Sequence, residues 1–269
     1  MAIVDRYSVS TRGIAIPDYA QPMPLGQGQT TPQSPVYTST DVNELAVRLG
    51  SPNSFDRRGN VLFIDDFEGG INKWLSGGGL GGYINWAHGL ARRGGFSCQL
   101  NVPNAAGGSS WMTRNPPYPT LTKFGMEVNI NVPPGHAWQS FQIRQVIYSA
   151  TEVYYFGIGY TGGEWQYIRP GPVFEEWVPL PFAVREWLLD TDTSFNSLKF
   201  VVDMNDTMQY VRMMINGSEY SLAGLEPYHR LAAWTPSWEI GIFLVDTVAT
   251  WGFLDSVIIT QNEPPNITM

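Results

Sequence analysis

The sequence predicts an all-β fold of two packed antiparallel sheets, and three observations predict it. From Val61 onward, short runs alternate apolar and polar residues with the period of a strand that buries one face. Gly 28 and Pro 20 punctuate those runs, with Asn-containing turns among them. The run of strands holds no long helix, no heptads and no internal repeat. Strands at this density point to a sandwich or barrel. With 43% hydrophobic and only 15% charged residues in 269, the chain can build a core and does not read as disordered.

The first 50 residues stand apart. Between Asp18 and Asp41 there is no charge, and Pro22, Pro24, Pro32 and Pro35 alternate with Gln, Thr and Ser. Such a stretch buries too little to offset its ordering entropy and reads as an extended, polyproline-like arm. Two holders for it are open: a neighbouring subunit, which the reading favours, or its own domain. A short helix is expected over 41–49. Asp41 can cap it with Glu44 closing a capping box, and Val42, Leu45, Ala46 and Leu49 make one apolar stripe. Gly50 and Pro52 end it. The expected division is therefore an arm with a helix over 1–50 and a sandwich over 51–269.

The strands follow in order. Val61–Phe67 comes first. Phe96–Val102 sets Phe96, Cys98, Leu100 and Val102 on one face, and Phe124–Val132 sets Met126, Val128, Ile130 and Val132 against Glu127, Asn129 and Asn131. That second set predicts a wetter face. Further strands are expected at 140–148, 153–160, 164–169 and 197–203. Thr207–Ile215 meets Ser218–Leu222 across Asn216-Gly217, whose two residues supply the positive φ values of a type I′ hairpin. Trp238–Asp246 and Trp251–Thr260 close the chain. Gly77-Gly-Gly-Leu-Gly-Gly82 follows no βα unit and reads as a flexible loop rather than a phosphate cradle.

Three segments, in this order, resemble the concanavalin A-like lectin/glucanase jelly roll. Asp65-Asp66-Phe67-Glu68-Gly69-Gly70 with Trp74 resembles its first strand. Leu198–Asp203 with Met208–Gly217 resembles its late hairpin, and Phe253–Thr260 resembles the closing strand that returns beside the first. The resemblance spans about residues 61–262. An uncharged arm ahead of such a sandwich also resembles the layout of bacteriophage virion proteins, capsid decoration or tail-associated subunits. The jelly-roll resemblance implies a calcium site where first and last strands meet, with Asp65, Asp66 and Asp255 as oxygen donors. The competing reading has Asp66 and Asp255 capping strand ends by bonding to backbone amides or arginines.

Catalytic plans are thin. Enzymes of this fold carry Glu-x-Asp-x-(x)-Glu on a strand, so that period two sets acid and nucleophile on one face. The nearest match, Glu127-Val-Asn-Ile-Asn131, has amides where the later acids belong. Glu175 and Glu176 are adjacent and face opposite ways in a strand. No nucleophile elbow is present. His88, His136 and His229 lack metal-site spacing, and Cys98 reads as a buried small hydrophobe. The ten tryptophans read mainly as packing, with sugar stacking as the sharper alternative. For that alternative the candidates are Trp165 and Tyr167 on one strand face with Glu164 nearby, and Trp86 beside the glycine run.

The leading expectation is a non-enzymatic virion structural protein that assembles with copies of itself or other virion proteins through residues 1–39. The alternative is a carbohydrate-binding module for a surface glycan, and the third is an atypical glycoside hydrolase. No cofactor is required, calcium being the one to entertain. A net charge of −8 argues against nucleic acid. No apolar run is long enough for a membrane span, and Met1–Arg6 shows no secretory signal, so a virion made in a host cytoplasm is the expected location.

Overall fold

The computed structural model describes residues 58–264, apart from 104–106, 117–121, 132, 134–139, 186, 188–193 and 206–207. The arm, helix 41–49, and the residues Pro22, Pro24, Pro32, Pro35, Val42, Leu45 and Leu49 all lie outside the described residues, as does His136.

Among the described residues the chain forms sixteen strands and no helix. The first eight are β1 (Asn60–Asp65), β2 (Leu75–Gly79), β3 (Tyr83–His88), β4 (Phe96–Val102), β5 (Gly108–Arg114), β6 (Lys123–Asn131), β7 (Ser140–Tyr148) and β8 (Glu152–Thr161). The second eight are β9 (Glu164–Pro170), β10 (Glu175–Pro179), β11 (Asn196–Asp203), β12 (Gln209–Ile215), β13 (Ser218–Ser221), β14 (Tyr228–Leu231), β15 (Ser237–Asp246) and β16 (Thr250–Gln261). All pairings are antiparallel, in two eight-stranded sheets. One runs β13-β12-β11-β6-β16-β4-β3, with β1 also on β16; the other runs β10-β9-β8-β7-β15-β5-β2, with β14 also on β8. The first strand pairs with the last, Ile64 opposite Ile258, as a jelly-roll sandwich requires.

Alternation explains the core. Met126, Val128 and Ile130 of β6 face Ile143, Ile147, Phe156, Ile240 and Ile242 of the other sheet within one buried cluster. Trp238 is fully buried and its ring centroid lies 4.6 Å from that of Phe124. Burial of each large side chain contributes about 1.5–3 kcal/mol. Tyr210 reaches across from β12 to mend a gap in β8, which pairs with β14 over 152–155 and with β9 over 158–161. In the gap, its single hydroxyl proton is shared between the carbonyls of Gly157 (3.1 Å) and Ile168 (3.0 Å), and its oxygen accepts the Gly157 N–H at 2.8 Å. Burial pushes its phenol pKa far up.

The Asn216-Gly217 turn has φ of 48° and 90° and joins Ile215 to Ser218 as the hairpin predicts. The glycine run departs from expectation. Gly77–Gly79 form β2 instead of a loop, because the chain passes too close to β5 for any side chain. A Cβ on Gly77 would lie 2.5 Å from the Trp111 ring, and one on Gly82 would lie 1.7 Å from the Ser109 carbonyl oxygen.

Candidate functional site

The two sheets present opposite kinds of outer face. That of the β16 sheet is closed by charge. Glu127, Asn129 and Asn131, expected on a wetter face, are at most 2% exposed. Above them the Arg92 guanidinium bonds to Asn129, and the Ser197 hydroxyl donates to Glu127. Lys199 and Arg212 share the Glu263 carboxylate, the lysine at 2.6 Å. Lys199 also donates to the Arg58 carbonyl, and Arg212 donates to that of Pro264 at 2.7 Å. Gly125 makes room, since a Cβ there would meet Lys199 Cε at 2.7 Å and Glu263 Oε1 at 2.8 Å.

The outer face of the β7 sheet is floored by small residues and carries half-buried rings. Register places Leu75, Thr113, Gly241, Arg144 and Gly157 in one row across five strands. Trp111, Phe243, Gln142 and Gly159 form the next row. Gly157 and Gly159 leave β8 bare on this side, and the Trp177 indole of β10 lies over them, 3.0 and 3.1 Å from where their Cβ atoms would be. Ile168, paired with Trp177, packs beside it. Phe243 covers Gly241 in the same way.

Arg144 sits between these rings. Its Cζ is 5.4 Å from the Trp177 ring centroid and 5.0 Å from that of Phe243, so the centroids are no more than about 10 Å apart. Cation–π contacts of this kind help to fix a guanidinium in place. Nε and Nη2 donate to Gln142 Oε1 at 3.0 and 2.7 Å, and Nη1 donates to Glu175 Oε1 at 3.3 Å. Burial lowers the Arg144 pKa and the Glu175 carboxylate opposes the shift; the group stays charged at neutral pH.

The aromatic face continues past Glu175. Tyr155, Phe174, Glu175, Tyr228 and Arg230 line a cavity of about 290 Å³. Tyr155 and Tyr228 rings are 5.5 Å apart, and Arg230 lies over Tyr155. Beyond them Tyr148 meets Trp234, which is 55% exposed. Burial pushes the Tyr148 phenol up, with Glu239 and Tyr155 adding and Arg230 opposing. Burial also raises the Glu239 carboxyl. Chemically the face offers flat rings, hydrogen-bond donors and acceptors, and a charge pair that nearly cancels.

The residues expected to stack sugars are placed differently. Trp165 and Tyr167 do share a strand face, but it is the core face. Trp165 is 5% exposed and packed edge-on against Tyr160 and Trp187, and Tyr167 packs edge-on against Tyr210. Trp165 and Glu164 line a cavity of about 360 Å³ with Tyr160, Phe182 and Trp187, yet no ring face of Trp165 lies open in it. Trp86 is 47% exposed on β3, in the other sheet, with its ring stacked 4.1 Å from Phe96 and its indole N–H donated to the Phe67 carbonyl. Trp177, Phe243, Arg144 and Gln142 were missed. Their signal is Gly157-Ile-Gly159, two glycines at strand period that bare one face for a neighbouring ring.

The aspartates implied for calcium do not form a donor set that fits it. Asp65 accepts the Lys73 ammonium and the Trp74 indole N–H, each at 2.8 Å. Asp255 accepts the Arg92 and Arg93 amides at 2.7 and 2.9 Å and the Ser256 hydroxyl at 3.1 Å. Asp66 is exposed and caps the Glu68 amide. A cation would have to displace a fixed ammonium and several amides, and no three metal-binding side chains converge among the described residues.

No family model and no curated protein sequence matches the chain. Solved structures do. The chain is similar to alginate lyase vAL-1 from Chlorella virus at 9% identity and TM-score 0.50, over 75% of this chain and 100% of that one. It is similar to an endo-1,3-beta-glucanase from Streptomyces sioyaensis at 11% identity and TM-score 0.44, over 78% and 99%. It is also similar to the CBM22-1 xylan-binding domain of Paenibacillus barcinonensis Xyn10C at 13% identity and TM-score 0.39, over 77% and 97%. At such identities the likeness is one of fold, and the fold is the antiparallel jelly-roll sandwich.

Proposed function

We propose that this chain is a carbohydrate-binding domain whose ligand lies across the outer face of the β7 sheet. The observation that carries the proposal is the Trp177–Arg144–Phe243 arrangement on a floor of Gly157, Gly159 and Gly241. Glycines let the rings approach the strands closely, and partly exposed aromatic rings suit the apolar faces of pyranoses. Gln142, Arg144 and Glu175 supply the few placed polar groups that orient a ligand. Glycan recognition is preferred to virion assembly because the rings and polar groups of this face suit a glycan; the arm of residues 1–39 lies outside the described residues.

The proposal is of binding without cleavage. In support, the strand that the glucanase resemblance singles out carries Glu127, Asn129 and Asn131 at no more than 2% exposure, under the charged layer of the closed face. On the open face Glu175 is held by Arg144.

Calorimetric titration of neutral oligosaccharides into the full chain tests this. Binding is expected, with no new reducing ends on long incubation. Trp177→Ala should weaken it about thirtyfold, the roughly 2 kcal/mol of a hot-spot aromatic. Full affinity in Trp177→Ala, or release of reducing ends by the parent chain, contradicts the proposal.

A further inference from the structure

The proposed face carries a feature that bears on ligand class. A guanidinium has five N–H donors. Among the described residues three of those on Arg144 are taken, two by Gln142 and one by Glu175, which leaves two for a ligand on a side chain that is 23% exposed. Beside them Glu175, 30% exposed, offers carboxylate lone pairs. A donor and an acceptor thus stand side by side, the donor close to the Trp177 and Phe243 rings.

Sugar hydroxyls both donate and accept, so neighbouring hydroxyls on a neutral ring can accept from Arg144 while donating to Glu175. A uronate carboxylate only accepts. It would gain the arginine and face the glutamate at close range, where like charges repel. Among the described strand residues on this face, Arg230 is a second cation, and Glu239 and Glu164 are further carboxylates. Resting on the carbohydrate-binding reading, we propose that Glu175 sets the ligand class of this site: paired with Arg144, it selects uncharged glycans and rejects uronate-containing ones.

Glu176 is the internal control. It is adjacent in β10, points the opposite way and pairs with Arg169 at 3.0 Å, so Glu176→Gln makes the same change in net charge on the wrong side of the strand. The experiment titrates the full chain with β-linked gluco-, xylo- and manno-oligosaccharides and with oligomannuronate and oligogalacturonate of matched length. The parent should bind at least one neutral probe and hold the uronates about tenfold or more weaker. Glu175→Gln should move the neutral-to-uronate ratio by about tenfold toward the uronates, in a salt-sensitive manner. Glu176→Gln should leave the ratio alone. Melting temperatures of both variants confirm folding, and Glu175→Asp, which keeps the charge, should keep the selectivity.

Uronate binding by the parent as tight as neutral binding overturns the inference, as does an unchanged ratio in Glu175→Gln. Either result leaves the carbohydrate-binding reading standing. Binding of no probe by the parent overturns that reading and the inference together.

Discussion

Removing the Glu263 carboxylate tests why one sheet face is closed and the other is free for a ligand. In Glu263→Ala, Lys199 and Arg212 lose the carboxylate they share. Their side chains are 2% and 0% exposed, and that of Glu263 is 0% exposed. The Thr260 hydroxyl loses its bond to Glu263 and keeps a long one to the Gly125 carbonyl at 3.4 Å. Partial compensation comes from Glu219, 4.0 Å from Arg212 Nε and already engaged by Arg58 at 2.7 Å. Breaking a buried pair in this way costs about 3–5 kcal/mol, because the desolvated charge left behind is the expensive species. For a domain of this size the melting temperature should fall by roughly 6–20 °C. Urea unfolding measures it as a lower midpoint at unchanged slope. The combined variant Lys199→Met, Arg212→Met and Glu263→Met removes all three charges and should recover most of the loss. A loss below about 1 kcal/mol in Glu263→Ala, or a combined variant as unstable as the single one, refutes the account of a charge-sealed face.

Two further predictions concern titratable groups. Asp255 is fully buried, and burial raises its pKa despite the amides of Arg93 and Arg92 and the Ser256 hydroxyl. A carboxyl whose folded pKa exceeds its unfolded one is costly when ionised, so its contribution to stability grows as pH falls through the folded value. The stability difference between the parent and Asp255→Asn should therefore shift toward the parent on acidification from neutral pH; a shift the other way means that its hydrogen bonds outweigh its burial. Cys98 is buried with its thiol pushed up to about 12, so a disulfide reagent at mildly alkaline pH should label it only on unfolding, and labelling at the rate of a free thiol contradicts its placement.

Much of the sandwich was legible in the sequence. Strands 96–102, 140–148 and 238–246 appear within a residue of expectation, because their alternation is clean. β5 was hidden because Gly108-Ser-Ser-Trp-Met-Thr-Arg114 has no apolar alternation, and β2 because glycines carry no pattern at all. The site was legible only in part. Period two shows that Trp165 and Tyr167 share a face but not that this face is the inner one, since β9 carries large side chains on both. Likewise Glu127, Asn129 and Asn131 read as solvated, yet Ser197 bonds to Glu127, Arg92 bonds to Asn129, and Asn131 donates to the Ser194 carbonyl, all of them partners distant in sequence. Trp177 owes its place to glycines on a strand two places away in the sheet, a relation no local pattern contains.

The most direct test of the central claim is to follow the tryptophan indole N–H signals by NMR while a neutral oligosaccharide that binds is titrated into the protein. The account predicts that the Trp177 signal, assigned by its loss in Trp177→Phe, moves with saturation, while those of Trp238 and Trp165 in the core stay still. Movement confined to Trp86 or Trp251, with Trp177 unmoved, would contradict it.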